Sequence, residues 1–164
     1  MTTVLVVLAV TFLLGFYVTW TAGRLDRLHA RVDASWAALD AQLVRRAAAA
    51  RVVAAHLQDP VTATQLDGAA SAALDGGVED RENLENDLSR ALKAALPLLV
   101  HDDAGEAARA ELETASTRVG LARSFHNHAV KDTRAVRLRR MPRALRLAGH
   151  RELPLFFEID DTAI

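Results

Sequence analysis

The chain has 164 residues, of which 51% are hydrophobic, and its 20 basic and 21 acidic residues leave a net charge of −1. It has no cysteine, which excludes a disulfide scaffold and any thiolate metal site. Aromatic residues make up only 5% of the chain and prolines number four, so helix formers dominate and strand signals are nearly absent. The composition therefore predicts an all-α protein.

Residues 1–23 form one apolar stretch, because the first charged side chain is that of Arg24. A helix rises about 1.5 Å per residue and the hydrocarbon core of a bilayer is about 30 Å thick, so this stretch is long enough to cross it once. Tyr17 and Trp20 lie near its end, where an interfacial aromatic belt belongs. A cleaved secretory signal is the alternative, but it needs a positive leading segment and small residues at the cleavage site, and this stretch has neither. We expect residues 1–23 to be a transmembrane anchor.

The arginines beside the apolar stretch predict its orientation. Arg24, Arg27 and Arg31 follow the stretch, whereas no basic residue precedes it. Positive charge close to a membrane span favours the cytoplasmic side. We therefore expect the N-terminus outside and the body of the protein in the cytoplasm, with an extracytoplasmic body as the alternative.

Residues 24–158 are expected to form a single antiparallel helical bundle of the four-helix type, followed by a short C-terminal tail at 159–164. The first helix is predicted over 24–57, continuous with the anchor, because apolar residues recur there at three- and four-residue steps. These residues are Leu25, Leu28, Val32, Trp36, Leu39, Leu43, Ala47, Ala50, Ala54 and Leu57. Asp59 and Pro60 are a helix start signal, with Asp59 as N-cap, and predict a short, weak helix that ends at Gly76 and Gly77.

Two further helices are predicted from the same periodicity. The first has Leu84, Leu88, Leu92, Ala95 and Leu99 on one face, and Pro97 is expected to kink or frustrate its last turn. The second starts near Glu106 and extends to about Arg140. In the segment LPLFFEIDD that follows, Pro154 argues against a helix, and we expect Phe156 and Phe157 to pack onto the bundle.

Charge is unevenly distributed along the chain. Residues 59–113 hold thirteen acids and four bases, whereas residues 118–151 hold ten bases and one acid. Two helical faces of opposite sign can pack side by side, and this is one interpretation. The other is that a basic cluster meets anionic lipid or a partner. That cluster comprises Arg137, Arg139, Arg140, Arg143 and Arg146. Nucleic acid is not the expected ligand, because the basic segment has no interleaved aromatics and no nucleic-acid motif.

No residue pattern predicts a catalytic, cofactor or metal site. His126 and His128 are two residues apart, which places them on different faces of a helix, so a shared ion is not expected. His126 falls on an apolar stripe and is interpreted as a core or boundary histidine. A dense acidic run is interpreted as a solvated face, with a hard-cation site as the alternative. Its members are Glu79, Asp80, Glu82, Glu85 and Asp87.

Three stretches of the chain, in this order behind one N-terminal anchor, resemble the LemA family of bacterial membrane proteins. They are RLDRLHARVDASWAALDAQLVRRA at 24–47, ENDLSRAL at 85–92, and ARSFHNHAVKD at 122–132, the last followed by an aromatic-acid ending at 156–158. The residues matched to the family pattern include Trp36, Asp40, Leu43, Arg45, Arg46, Asn127, Phe156, Phe157 and Glu158. The chain departs from the pattern where a tyrosine is replaced by His126 and a Tyr-Asn pair reads Thr133-Arg134. The resemblance implies a membrane-proximal antiparallel helical bundle at the bacterial plasma membrane.

These observations together predict a single-pass membrane protein without catalytic activity. Its bundle is expected to act as an interaction module or scaffold for protein partners that the sequence does not specify. The alternative is a membrane-surface sensor or remodelling protein that binds anionic lipid through the basic segment at 137–151.

Overall fold

A computed structural model describes residues 1–77, 80–139 and 151–160, and within these ranges the fold is all-α. Its helices are α1 (Thr2–Ala54), α2 (Pro60–Asp75), α3 (Arg81–Ala95) and α4 (Asp103–Arg137). No strand is present among the described residues, and the only β-type pairing there is an isolated bridge between Leu57 and Leu99. The predicted all-α bundle behind a long apolar N-terminal helix is confirmed.

Helix α1 joins the apolar stretch to the bundle without a break, as the absence of any proline between the two predicts. It ends at Ala54, three residues before the expected end. The backbone beyond it turns into a loop that pairs with the loop after α3. The Val100 N–H donates to the His56 carbonyl oxygen at 3.1 Å in that pairing.

Local sequence signals set the ends of α2 and α3. Asp59 caps α2, since its carboxylate accepts from the Thr62 N–H at 2.9 Å and from the Thr62 hydroxyl at 2.6 Å. Helix α3 ends at Ala95 and continues as the 3-10 turn Leu96–Leu98, because Pro97 has no N–H to extend an α-helix. The predicted N-cap and the predicted disruption at Pro97 are both confirmed.

Helix α4 begins at Asp103, three residues earlier than the periodicity predicts. The Asp102 carboxylate accepts from the Gly105 N–H at 2.7 Å, so an acidic residue just before the first apolar position fixes the start. A Cβ on Gly105 would lie 2.1 Å from the Val100 carbonyl oxygen, which requires glycine at this close approach. The helix ends at Arg137, and the expected end near Arg140 lies outside the described residues.

The chain divides into two compact units. The first, here called the collar unit, comprises Met1–Ser35 and Asn127–Phe156. Its small interior contains Val32, Ala129 and Val130. The second, the bundle unit, comprises Trp36–His126 and Phe157–Ile164 and holds the main core, built from α1, α2, α3 and α4. In that core small alanines such as Ala47, Ala50 and Ala70 allow the helices to approach closely.

Candidate functional site

Most of the apolar stretch of α1 is exposed in the structure, including all of residues 1–16. Its most apolar 18-residue window has a mean hydropathy of 2.2, and none of that window is buried. Phe12 and Phe16, for example, are 74% and 62% exposed. Among the described residues α1 is the one helix long and apolar enough to cross a membrane, a property that a signal sequence shares.

Burial begins in the collar unit where the apolar stretch ends. Thr21, Leu25, His29 and Val32 are buried, and their spacing of three or four residues places them on one face of α1. This face packs against α4 in antiparallel register, since the Thr133 hydroxyl lies 3.4 Å from the Leu28 carbonyl oxygen. The last turn of α4 therefore lies beside the first turn of α1 after the apolar stretch.

Two arginines at the end of α4 hold the segment 151–156. Arg137 donates from its guanidinium to the carbonyl oxygens of Glu152 and Arg151, and it also lies 3.5 Å from the ring of His29. Arg134 donates to the carbonyl oxygen of Pro154 at 3.0 Å. Since backbone carbonyls accept from Arg137, this member of the predicted basic cluster has a role inside the collar unit.

Of the other members of the predicted basic cluster, Arg139 is the one within the described residues. Arg139 is exposed just beyond the end of α4. Arg140, Arg143 and Arg146 lie outside the described residues, so the structure gives no placement for them.

A buried ion-pair network occupies the bundle unit. Arg46 of α1 and Glu85 of α3 have side chains that are 1% and 0% exposed, and Arg46 Nη2 lies 2.7 Å from Glu85 Oε2. The same Nη2 donates to the Glu85 carbonyl oxygen at 3.1 Å. Ser89 lies one turn further along α3, with its hydroxyl 3.4 Å from Arg46. The pair joins α1 to α3 across 39 residues of chain.

Arg81 extends the network to α2. Its Nη1 donates to the Ala73 carbonyl oxygen at 2.9 Å, its Nη2 lies 2.8 Å from Asp40, and its Nε lies 3.6 Å from Glu85. Burial raises the pKa of Glu85 and outweighs the opposing effect of the Arg46 and Arg81 charges. Arg46, Arg81 and Glu85 are buried and Asp40 is half exposed, so the network joins α1, α2 and α3 mainly inside the bundle unit.

Sequence reasoning missed this network, although a signal for it exists. Arg46 follows Leu39 by seven residues and Leu43 by three, and Glu85 precedes Leu88 by three and Leu92 by seven. Each charge therefore falls in register with an apolar stripe. The interpretation of the acidic run as a solvated face is wrong for Glu85. Glu79 lies outside the described residues.

Three of the remaining family-pattern residues, Trp36, Leu43 and Phe157, lie in one cluster of the bundle unit. The half-buried indole of Trp36 makes edge contacts, at centroid distances of 5.5 Å, with the rings of His126 and Phe157. Phe157 is buried with Leu39 and Leu43. Asp40 belongs to the ion-pair network, Glu158 lies 3.6 Å from Arg123, Asn127 is half-buried and Arg45 is exposed.

The two predicted packing phenylalanines behave differently. Phe157 is 3% exposed and packs in the bundle unit, as expected. Phe156 is 42% exposed, and its ring lies in the collar unit against the guanidinium of Arg134, 5.4 Å away. The expected packing is confirmed for Phe157, whereas Phe156 is only partly covered, because burial alternates from residue to residue along 156–160.

No group of three or more metal-ligating side chains occurs within the described ranges. One open cleft in the bundle unit lies between the loops around Gln58 and Leu98. Its acidic residue, Asp59, is committed to the N-cap of α2. Comparisons with protein-family models, with curated proteins and with solved structures found no match to this chain.

Proposed function

We propose that this protein is a single-pass membrane protein whose helical bundle acts, without catalytic activity, as an interaction module or scaffold at the bacterial plasma membrane. The observation that carries the proposal is α1, in which an exposed apolar stretch continues without a break into the first helix of a packed bundle. Such exposure is unfavourable in water and favourable in a bilayer. The resemblance of residues 24–158 to the LemA family supports the same proposal.

Two exposed apolar side chains of α4 support a protein partner for the bundle unit. Leu121 and Phe125 are 56% and 66% exposed, and their spacing of four residues places them next to each other on the helix. Apolar side chains four residues apart on a helix are the kind of anchor that a hydrophobic groove of a partner binds. The proposed partner therefore contacts this pair.

A cysteine-accessibility experiment tests membrane insertion and orientation. Because the chain has no cysteine, single cysteines at exposed Ala104 and exposed Thr3 report on the two ends of the proposed topology. In bacterial cells that express the full chain, Ala104→Cys is expected to react with a membrane-impermeant maleimide only after permeabilisation, and Thr3→Cys already in intact cells. The reverse pattern would place the body outside the cytoplasm. Recovery of a shortened chain in the soluble fraction would refute the anchor.

Photo-crosslinking tests the interaction role. A photo-reactive phenylalanine analogue at Phe125 is expected to give discrete crosslinked products in cells, whereas the same analogue at exposed Lys93 of α3 serves as the matched control. Identical product patterns at both positions, or none at either, would count against a partner at the Leu121 and Phe125 surface.

A further inference from the structure

We infer that the collar unit binds the headgroups of anionic phospholipids through Arg24, Arg27 and Arg139. The inference deepens the proposed function. It rests on α1 crossing a membrane, and it names the class of lipid that binds beside α1. The described residues of the collar unit include eight Lys and Arg side chains and four Asp and Glu side chains, whereas those of the bundle unit include nine and fifteen. The positive charge of the described chain is thus concentrated in the unit that carries the apolar stretch.

The contacts of the collar unit separate structural arginines from available ones. Arg31 and Arg151 lie 3.7 and 3.8 Å from the carboxylates of Asp132 and Asp33. Arg134 and Arg137 donate to backbone carbonyls of the segment 151–156. Within the described part of the chain, no carboxylate forms an ion pair with Arg24, Arg27 or Arg139, and all three side chains are exposed.

Two of these arginines extend towards the apolar stretch. The Arg24 guanidinium lies over the ring of Trp20, 5.9 Å from its centroid. An Arg27 guanidinium nitrogen lies 3.7 Å from the position that a Cβ on Gly23 would occupy. Both side chains therefore run back along α1 towards its N-terminus, which is the usual direction for long helical side chains. Asp26, between them in sequence, is the one acidic residue of this turn.

The register between α1 and α4 brings Arg139 to the same level. Thr133 lies beside Leu28 in the antiparallel pair, so Leu138 and Arg139 lie beside the turn that contains Arg24. Leu138, next to Arg139, is 55% exposed. Trp20 is 53% exposed. Exposed apolar side chains, those of Trp20 and Leu138, therefore lie together with guanidinium groups at the edge of the apolar stretch. This arrangement matches a bilayer surface, where phosphates lie just outside the hydrocarbon.

Quenching of Trp20 fluorescence by brominated lipids tests the inference with the full chain. Trp36→Phe leaves Trp20 as the sole tryptophan, and far-UV circular dichroism checks its fold against the wild type. The protein is reconstituted in phosphatidylcholine vesicles that contain equal fractions of either brominated phosphatidylglycerol or brominated phosphatidylcholine. We expect brominated phosphatidylglycerol to quench Trp20 about twofold more strongly, or better, because arginines at a membrane surface concentrate anionic lipid around them.

Two variants with the same change in charge locate the effect. The variant R24E/R27E/R139E is expected to abolish the excess quenching by phosphatidylglycerol, and 1 M NaCl is expected to reduce it in the parent protein. The matched control R45E/R90E/R118E reverses three exposed arginines of the bundle unit and is expected to retain the excess. Loss of the excess in both variants would overturn the assignment to these three residues.

The outcomes separate this inference from the proposed function. Equal quenching by the two brominated lipids would refute anionic lipid selection while supporting insertion of α1 into the bilayer. Absence of quenching by either lipid would refute the membrane anchor and, with it, the inference.

Discussion

Replacement of Arg46 with methionine removes one charge of the buried ion pair while keeping an unbranched apolar side chain in its place. Arg46 is 1% exposed and its Nη2 lies 2.7 Å from a Glu85 carboxylate that is 0% exposed. Loss of one partner of a buried pair costs about 3 to 5 kcal/mol in the free energy of unfolding, and the longer 3.6 Å contact of Arg81 with Glu85 places Arg46→Met towards the lower end of this range. This is a large part of the total stability of a domain, which is about 5 to 15 kcal/mol.

The assay is urea unfolding of the full chain in detergent micelles, followed by far-UV circular dichroism. With a denaturant slope of about 2 kcal/mol/M, the expected loss lowers the midpoint by about 1.5 to 2.5 M. Arg51→Met is the matched control, because Arg51 lies on the same helix and 2.8 Å from Asp67, but both side chains are about half exposed, at 52% and 48%. An exposed pair contributes about 0 to 1 kcal/mol, so this control is expected to unfold close to the wild type.

A second variant and a pH series complete the test. Removal of the stranded carboxylate, in R46M/E85L, is expected to restore most of the lost stability. Burial raises the pKa of Glu85 in the folded state above its unfolded value of 4.5. Protonation of Glu85 therefore stabilises the folded state fully below pH 4.5, and this stabilisation is lost as the pH rises through the folded-state pKa. Because Arg46 lowers that pKa, Arg46→Met raises it further, and the deficit should be greatest at neutral pH and shrink on acidification. A wild-type midpoint for Arg46→Met would refute the reasoning.

Three more predictions follow from the described contacts. Phe157→Ala should cost about 3 to 4 kcal/mol because the ring is 3% exposed, and Phe156→Ala about 1 kcal/mol or less because its ring is 42% exposed; equal midpoints in urea would contradict both burial states. Asp59→Ala should lower the Tm at pH 7, because the Asp59 carboxylate caps α2. Since the hydrogen bonds from Thr62 lower the pKa of Asp59, the difference in Tm between wild type and variant should disappear as the pH falls below 3.8. A difference in Tm that does not change with pH would rule out the cap. Gly105→Ala should lower the Tm because the added Cβ would lie 2.1 Å from the Val100 carbonyl oxygen. Gly68→Ala adds a Cβ with nothing within 4 Å and should stabilise α2 by about 0.5 to 1 kcal/mol. A lower Tm for Gly68→Ala would contradict the open space around Gly68.

The features predicted correctly from the sequence are those that local chemistry determines. Asp59 followed by Pro60 defines a helix start from two adjacent residues, and Pro97 ends α3 through its own missing N–H. The continuity of α1 follows from the absence of any breaker between its apolar and amphipathic halves. Each of these signals acts within a few residues, so a single sequence is enough to read it.

The features that sequence reasoning missed depend on partners far apart in the chain. Arg46 and Glu85 are 39 residues apart, and although each falls in register with an apolar stripe, neither position alone identifies the other as its partner. The different burial of Phe156 and Phe157 belongs to an alternation along 156–160, typical of extended chain, and the contacts that bury alternate residues come from helices far away in the sequence. Arg137 illustrates the same limit, since the carbonyls that accept from it belong to a segment with no helical or strand pattern of its own.

Part of the core of the bundle unit depends on residues 157–160, which are made long after α1. Phe157 and Ile159 cover Leu39 and Val119, while the N–H groups of Glu158 and Asp160 donate to side chains of Glu82 and Asn86 on α3, at 2.7 and 2.8 Å. Synthesis proceeds from the N-terminus, so the apolar half of α1 leaves the ribosome first and this covering segment last among the described residues. The apolar half of α1 is therefore made well before the segment that covers Leu39 and Val119, so this part of the core stays open until residues 157–160 have been made.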